Sequence, residues 1–267
     1  MAHDYNVPLT VLSITPTRDN DAAPGGRLPD KHSRLFCGKT LDEWTMIQLW
    51  SSQSITHKIF VCETYEHMKK LAEPAVKYDV ELMVRPASML HPLNDSGSIV
   101  GTWAFKKALE KDWCSLITTP LVVTPCRPPG FFDAMVSFYQ QKIGNPDYTR
   151  QDALVYAGYA SDITSFEIEN GKGKQLGQAY LNKNYKLRST KFSHFVAATW
   201  WYEAYLTLQQ SRHDVALHPI FYDIEPWMDC HIDTEDEWKE AEFWFREKIL
   251  SQGEQCYERY RWGWENK

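Results

Sequence analysis

The alternation of apolar and polar positions divides the chain into two stretches of different character. Residues 7–15 (VPLTVLSIT) form a short β-branched apolar run, which predicts a buried strand. A polar, Pro/Gly/Asp-rich loop follows. Over 40–53, Leu41, Trp44, Ile47 and Leu49 then recur at roughly helical spacing. Thr40, with Glu43 three positions on, predicts a capping box at that helix start. The alternation continues with strands over 58–62, 80–84 and 116–124 and helices over 65–77, 98–111 and 131–141. The helix over 65–77 is expected to kink or end near Pro74, which removes a backbone donor. Strands separated by helices predict right-handed crossovers and a mostly parallel sheet flanked by helices, an α/β fold of the Rossmann-like type.

After Gly144 the pattern changes. Residues 154–169 and 179–192 read as strands joined by the Gly-rich ENGKGKQLG, a hairpin or small antiparallel insertion. GKGKQLG at 171–177 reads as a turn, because it neither follows a convincing strand nor opens a helix. Residues 193–210 read as partly helical, and 215–224 as a further strand. Residues 234–251 read as a helix capped by Thr234, with Trp238, Ala241, Phe245 and Ile249 on one face. The expected division is a core over 1–144, an insertion over 145–195 and a return to the core over 196–267.

Composition narrows the function classes. A chain of 267 residues suits one core domain with an insertion, and 43% hydrophobic with 24% charged residues is ordinary globular usage. A formal charge of −6 disfavours nucleic acid or anionic lipid as the main partner. The six cysteines contain no CxxC pair and read as reduced thiols. The opening MAHDYNVP has no cationic leader, and no apolar run is long enough to span a membrane, so the cytoplasm is the expected location. The 11 Trp, 14 Tyr and 12 Phe are expected to serve core and dimer packing.

The loop from Arg18 to Lys31 is the first candidate for chemistry. In open α/β sheets ligands bind beyond the carboxyl ends of the strands. Gly25 and Gly26 let backbone N–H groups approach phosphate oxygens, and Arg18, Arg27 and Lys31 supply cations. Composition alone leaves open a solvated surface loop. No GxxxxGKS sequence is present, so the loop is not of the Walker type.

The stretch from Ile14 to Thr45 resembles the opening of the CMP-sugar synthetases, above all the CMP-sialic acid synthetases (acylneuraminate cytidylyltransferases). That family opens with a strand, then a pattern like PARxGSKxIPGKN and a run like LxGKPLIxWT. Pro16-Thr17-Arg18 matches PAR, and Leu28-Pro29-Asp30-Lys31 matches IPGK. Leu35, Gly38-Lys39, Leu41 and Trp44-Thr45 fit the next run. The RLPDK form is also similar to the CMP-Kdo synthetases. Val84-Arg85-Pro86-Ala87 is similar to the family's LRPAxLA, and Asn94-Asp95-Ser96-Gly97-Ser98 to its DDxxS. Val123-Thr124-Pro125-Cys126-Arg127-Pro128 sits where the family reads LQPTSP, and WMDCHIDTEDEWKE at 227–240 where it reads VDIDTPEDLxxAE.

The resemblance implies a nucleotide-diphospho-sugar transferase type of fold and CTP-dependent activation of a sugar, such as a 2-keto acid sugar or a sugar phosphate. The products would be a CMP-sugar and pyrophosphate. By position, Arg18 and Lys31 would hold the triphosphate, with Arg27 as helper. Arg85 and Ser98 would lie near the cytidine or ribose, and Thr124, Pro125 and Cys126 would line the base pocket. Asp233 would bind Mg²⁺ and act in catalysis, with Asp229 and His231 as further metal ligands. The 145–195 segment would be a dimerisation element of a homodimer. The departures are a longer first loop, His32 for Asn, Thr124 for Gln, Arg127 for Ser, and His231 for the first Asp of the family's pair. They motivate a second reading, a binding protein that has lost catalysis. A third is a GT-A type glycosyltransferase, although VTPCRP carries no carboxylate where such enzymes hold a DxD.

Overall fold

The computed structural model describes residues 11–18, 28, 31–87, 116–118, 120–143, 154–158, 166–169, 172–175, 194–197 and 220–263. A seven-stranded sheet forms its centre: β1 (Val11–Pro16), β2 (Ile55–Cys62), β3 (Glu81–Val84), β4 (Leu116–Thr118), β5 (Leu154–Gly158), β8 (His194–Ala197) and β9 (Ile220–Asp223). Their order across the sheet is β3-β2-β1-β4-β8-β5-β9. The pairings β1/β2, β1/β4, β2/β3 and β5/β9 are parallel, and β8 runs antiparallel to both β4 and β5. β6 (Phe166–Glu169) and β7 (Lys172–Gln175) form a separate antiparallel pair. The sheet is therefore the mostly parallel, helix-flanked Rossmann-like one that the alternation predicts.

β1 lies inside the sheet, between β2 and β4, because its sequence tolerates burial on both faces. Val11, Leu12 and Ile14 are fully buried, and so are the small Ser13 and Thr15. The helix α1 (Leu41–Ser51) is buried almost all round rather than on one stripe. It has the sheet on one side and the C-terminal helices α4 (Glu235–Lys248) and α5 (Cys256–Trp262) on the other. Between them lies an aromatic core. Phe36 meets Trp238 and Phe245 edge-on at 5.4 and 5.2 Å, and Trp44 meets Phe245 at 4.8 Å. Each such pair contributes roughly 0.5–1.5 kcal/mol beyond its area. The helices α2 (Tyr65–Lys77) and α3 (Phe131–Ile143) complete the described layers.

Several expectations are corrected. The strand expected over 116–124 has described ladder residues only at Leu116–Thr118. Pro120 cannot donate to a ladder, and the next residues turn, with Thr124 N–H donating to Leu121 O at 3.2 Å. α2 spans Tyr65–Lys77 as expected, but Pro74 lies inside it and does not end it. The expected turn at 171–177 contains β7, which pairs with β6 in an antiparallel ladder. Residues 194–197, expected to be helical, form β8 between β4 and β5. The capping box at α1 is half formed. Thr40 accepts from Glu43 N–H at 3.1 Å, but the Glu43 carboxylate turns to Lys39 at 2.9 Å. The one at α4 is complete in function: Thr234 accepts from Glu237 N–H, and the Glu237 carboxylate accepts from Asp233 N–H at 2.8 Å. The helix expected over 98–111 lies outside the described residues.

Candidate functional site

The order β3-β2-β1-β4 means that the chain winds outward from β1 and then returns to its other side. This reversal opens a crevice between β1 and β4 at their carboxyl ends, the usual place for a ligand in an open α/β sheet. The described residues after β1 (17, 18, 28 and 31–40) and the turn after β4 (120–127) border it. A third segment, 229–233, joins them from the far end of the chain, because Ile232 N–H donates to Val123 O at 2.9 Å.

Lys31 and Asp233 meet at this crevice although 202 positions separate them. The Lys31 ammonium lies 3.0 Å from Asp233 Oδ1 and donates to Ile232 O at 3.1 Å. Asp233 Oδ2 is 3.2 Å from His231 Nε2. Asp233 immediately precedes the cap of α4, where a negative charge is stabilised by the helix dipole. The tight turn that leads from Lys31 into α1 is fixed locally. Phe36 and Lys39 exchange backbone hydrogen bonds, and Cys37 and Gly38 between them both have positive φ, 48° and 90°. A two-residue turn of that kind suits glycine at its second position. Cys37 N–H then donates to Glu242 Oε1 on α4 at 3.1 Å.

The other expected residues are distributed as follows. Arg18 follows β1 and is half-buried. Arg85 immediately follows β3, is buried, and pairs with Glu63 at 2.7 Å. Asp229 stands half-buried just after the short 3₁₀ turn Pro226–Met228. Among the described residues no group of three or more His, Cys, Asp or Glu is placed to hold a metal ion, so Asp229, His231 and Asp233 do not form a three-donor cluster. Arg27 and Ser98 lie outside the described residues.

The turn after β4 differs from expectation. Thr124, Pro125 and Cys126 are all buried. The Thr124 hydroxyl donates to Leu121 O at 2.8 Å and accepts from Arg127. Its proton is committed within the turn. Cys126 points toward Ala241 O on α4 at 3.6 Å, and burial, with a neighbouring Cys230, pushes its thiol well above the usual range. Arg127 holds the turn together. Its guanidinium donates to Leu121 O at 2.7 Å, to Gln48 Oε1 at 3.1 Å and to Thr124. Burial lowers its pKa to about 9. Gln48 donates in turn to Pro125 O at 2.6 Å, and the Tyr257 hydroxyl donates to Arg127 O.

Sequence reasoning missed four participants: Asp42, Gln48, Glu63 and Tyr257. Gln48 had a visible signal, a polar residue on the apolar helix 40–53. Asp42 looked like an ordinary first-turn acid. Tyr257 is one of the aromatics expected to serve packing, and it does pack, 6.2 Å from the Trp44 ring. Glu63 had no signal.

Neither a family model nor a curated protein matches this sequence. Solved structures do. The chain superposes with TM-score 0.64 on the 4-diphosphocytidyl-2C-methyl-D-erythritol synthase of Anaerococcus prevotii, at 12% identity over 90% of this chain and 100% of that one. A CMP:2-keto-3-deoxy-manno-octonic acid synthetase complexed with CTP gives 0.57, at 8% identity over 90% and 100%. A cytidylyltransferase from Leptospira borgpetersenii gives 0.53, at 12% identity over 86% and 84%. The chain thus shares the Rossmann-like α/β fold of these proteins. Among the described residues no helix is long and apolar enough to cross a membrane.

Proposed function

We propose that this protein is a CTP-dependent nucleotidyltransferase that joins CMP to a sugar hydroxyl and releases pyrophosphate. The observation that carries the reading is the meeting of Lys31 with Asp233. The cation of the first loop and the acid of the last motif belong to opposite ends of the chain, yet share the crevice between β1 and β4. The named activities of the structural neighbours agree with this reading.

In the reaction, a sugar hydroxyl oxygen bonds to the α-phosphorus of CTP. The bond from that phosphorus to the bridging oxygen breaks, pyrophosphate leaves with the electron pair, and the hydroxyl proton passes to water. Such transfer needs positioning and charge neutralisation rather than a protein nucleophile. Lys31 and Arg18, with Arg27, would hold the triphosphate; Lys31 can exchange part of its contact with Asp233 for phosphate oxygens. Arg85 and Ser98 would face the cytidine or ribose. With the Thr124 hydroxyl committed, the base would be read by backbone groups of the 121–127 turn. The carboxylate of Asp233 offers the hard oxygen that Mg²⁺ prefers, and a site of one carboxylate completed by substrate phosphates and water suits that ion. His231 and Asp229 would then orient Asp233 or its water. When bound, the ion would neutralise charge on the α-phosphate and pyrophosphate. The sugar would be a 2-keto acid sugar or a sugar phosphate, and segment 145–195 would pair two copies in a homodimer.

A second reading, a nucleotide-binding protein without turnover, is favoured by His231 in place of a carboxylate and by the inward Thr124. The carboxylate-free turn after β4 weighs against a glycosyltransferase. The test is pyrophosphate release with Mg²⁺, each of the four nucleoside triphosphates and a panel of keto acid sugars and sugar phosphates. Release with CTP and one sugar class is expected. Binding of CTP without release under any combination would favour the second reading, and indifference to CTP would remove both.

A further inference from the structure

Within the elements that match the CMP-sugar synthetase opening, His32 and two further single positions differ from the pattern, and the three meet in one buried cluster. That pattern carries Ala in PAR, Asn after IPGK, and Ile in GKPLI. Here those positions are Thr17, His32 and Asp42. The Thr17 hydroxyl donates to Asp42 Oδ1, and His32 Nδ1 stands 3.5 Å from Asp42 Oδ2. The Asp42 side chain is 2% exposed, so each of its oxygens depends on these neighbours rather than on water.

The positions of the partners give the cluster its consequence. Thr17 immediately precedes Arg18, and His32 immediately follows Lys31. A single carboxylate on the first turn of α1 therefore pins both ends of the loop that carries the two cations. Joining the ends of a loop to a rigid element removes much of the ordering cost that a ligand would otherwise bear. We propose that Asp42 is a positioning residue: through Thr17 and His32 it sets the separation of Arg18 and Lys31 for the polyphosphate of a nucleoside triphosphate. The proposal rests on the nucleotidyltransferase reading above and deepens it. Asp42 itself touches no phosphate. The three departures act as one unit, because an aspartate buried beside alanine and asparagine would lose its hydroxyl donor and its imidazole.

The test compares wild type, D42N, D42I and the triple variant T17A/H32N/D42I. Calorimetry measures the Kd of CTP and of cytidine, and hydrogen exchange follows the amides of Thr17, Arg18 and His32. D42I is expected to weaken CTP at least tenfold and to speed exchange at those amides, while cytidine affinity stays within about twofold. The triple variant is expected to recover most of the CTP affinity, and D42N, which keeps the shape and one acceptor, to fall between wild type and D42I. Equal loss of cytidine and CTP would indicate a general structural defect and overturn the proposal. So would a triple variant no better than D42I. If D42I does not fold, D42N with wild-type CTP affinity overturns it. If wild type binds neither CTP nor cytidine, the nucleotidyltransferase reading fails on its own. Exchange at Thr17 and His32 still decides whether Asp42 holds the loop ends, and unchanged rates in D42N and D42I would show that it does not.

Discussion

Lys31 and Arg127 are both cations beside the same crevice, yet they meet water differently. The Lys31 side chain is 12% exposed and its partner Asp233 33%, so the pair sits at the rim. Arg127 is fully buried, and its described hydrogen bonds go to neutral oxygens of Leu121, Gln48 and Thr124. A rim ion pair adds little to folding, about 0–1 kcal/mol, and its ammonium can turn to an incoming anion. A sealed guanidinium cannot; it shapes the turn after β4 and leaves its neighbours stranded if removed. One helix supports both arrangements. Asp42 on its first turn faces the loop after β1, and Gln48, ~9 Å further along the axis, holds the turn after β4.

The largest effect should come from the sealed side. Arg127→Met is expected to lower the unfolding free energy by about 3 kcal/mol in denaturant titration, because buried acceptors lose their donor. A loss under about 0.5 kcal/mol would show that the network relaxes freely. At the rim, Lys31→Ala and Asp233→Ala should each reduce turnover at least tenfold, ~1.4 kcal/mol in the barrier. Each should move stability by less than about 1 kcal/mol. Arg18→Ala should show the same split. Large unfolding effects without loss of turnover would reverse the roles assigned to the two sides.

A smaller effect tests the end of α1 away from the crevice. Asp133 accepts from Ser52 Oγ at 2.6 Å, Ser54 N–H at 2.8 Å, Gln53 N–H at 3.1 Å and the Tyr260 hydroxyl at 2.8 Å. Burial raises its pKa, but the hydrogen bonds from Ser52, Ser54 and Gln53 outweigh it, and the net shift is downward. A carboxylate with a depressed folded pKa contributes stability that is present above its unfolded pKa, about 3.9, and is lost as pH falls through the folded value. Asp133→Asn should therefore cost about 1 kcal/mol near pH 7, and the gap to wild type should close in acid. A gap independent of pH would mean that packing, not charge, sets it. Smaller still, Tyr257→Phe removes one donor to Arg127 O and should cost about 1 kcal/mol or less.

The sequence made the parallel half of the sheet readable because each element there carries its own period. β1, β2 and β3 alternate with capped helices, and that alternation points to parallel pairing. β8 was unreadable for the same reason. Its antiparallel place between β4 and β5 is decided by partners distant in sequence, and residues 193–210 carry helical spacing. The meeting of Lys31 with Asp233 was foreshadowed because both lie in spaced motifs. The sealed side was not. A sequence shows the Thr124 hydroxyl but not that its proton goes to the backbone oxygen of Leu121. Arg127 looked like a lost serine until Gln48 and Tyr257 stood beside it.

The most direct measurement follows each phosphorus of CTP. With Mg²⁺ and the reactive sugar class, label at the α-phosphorus should pass into a sugar product and label at the γ-phosphorus into pyrophosphate, with both transfers at least tenfold slower in Asp233→Ala. Label from the α-position appearing only in free CMP, or transfer at the wild-type rate without Asp233, would contradict the account.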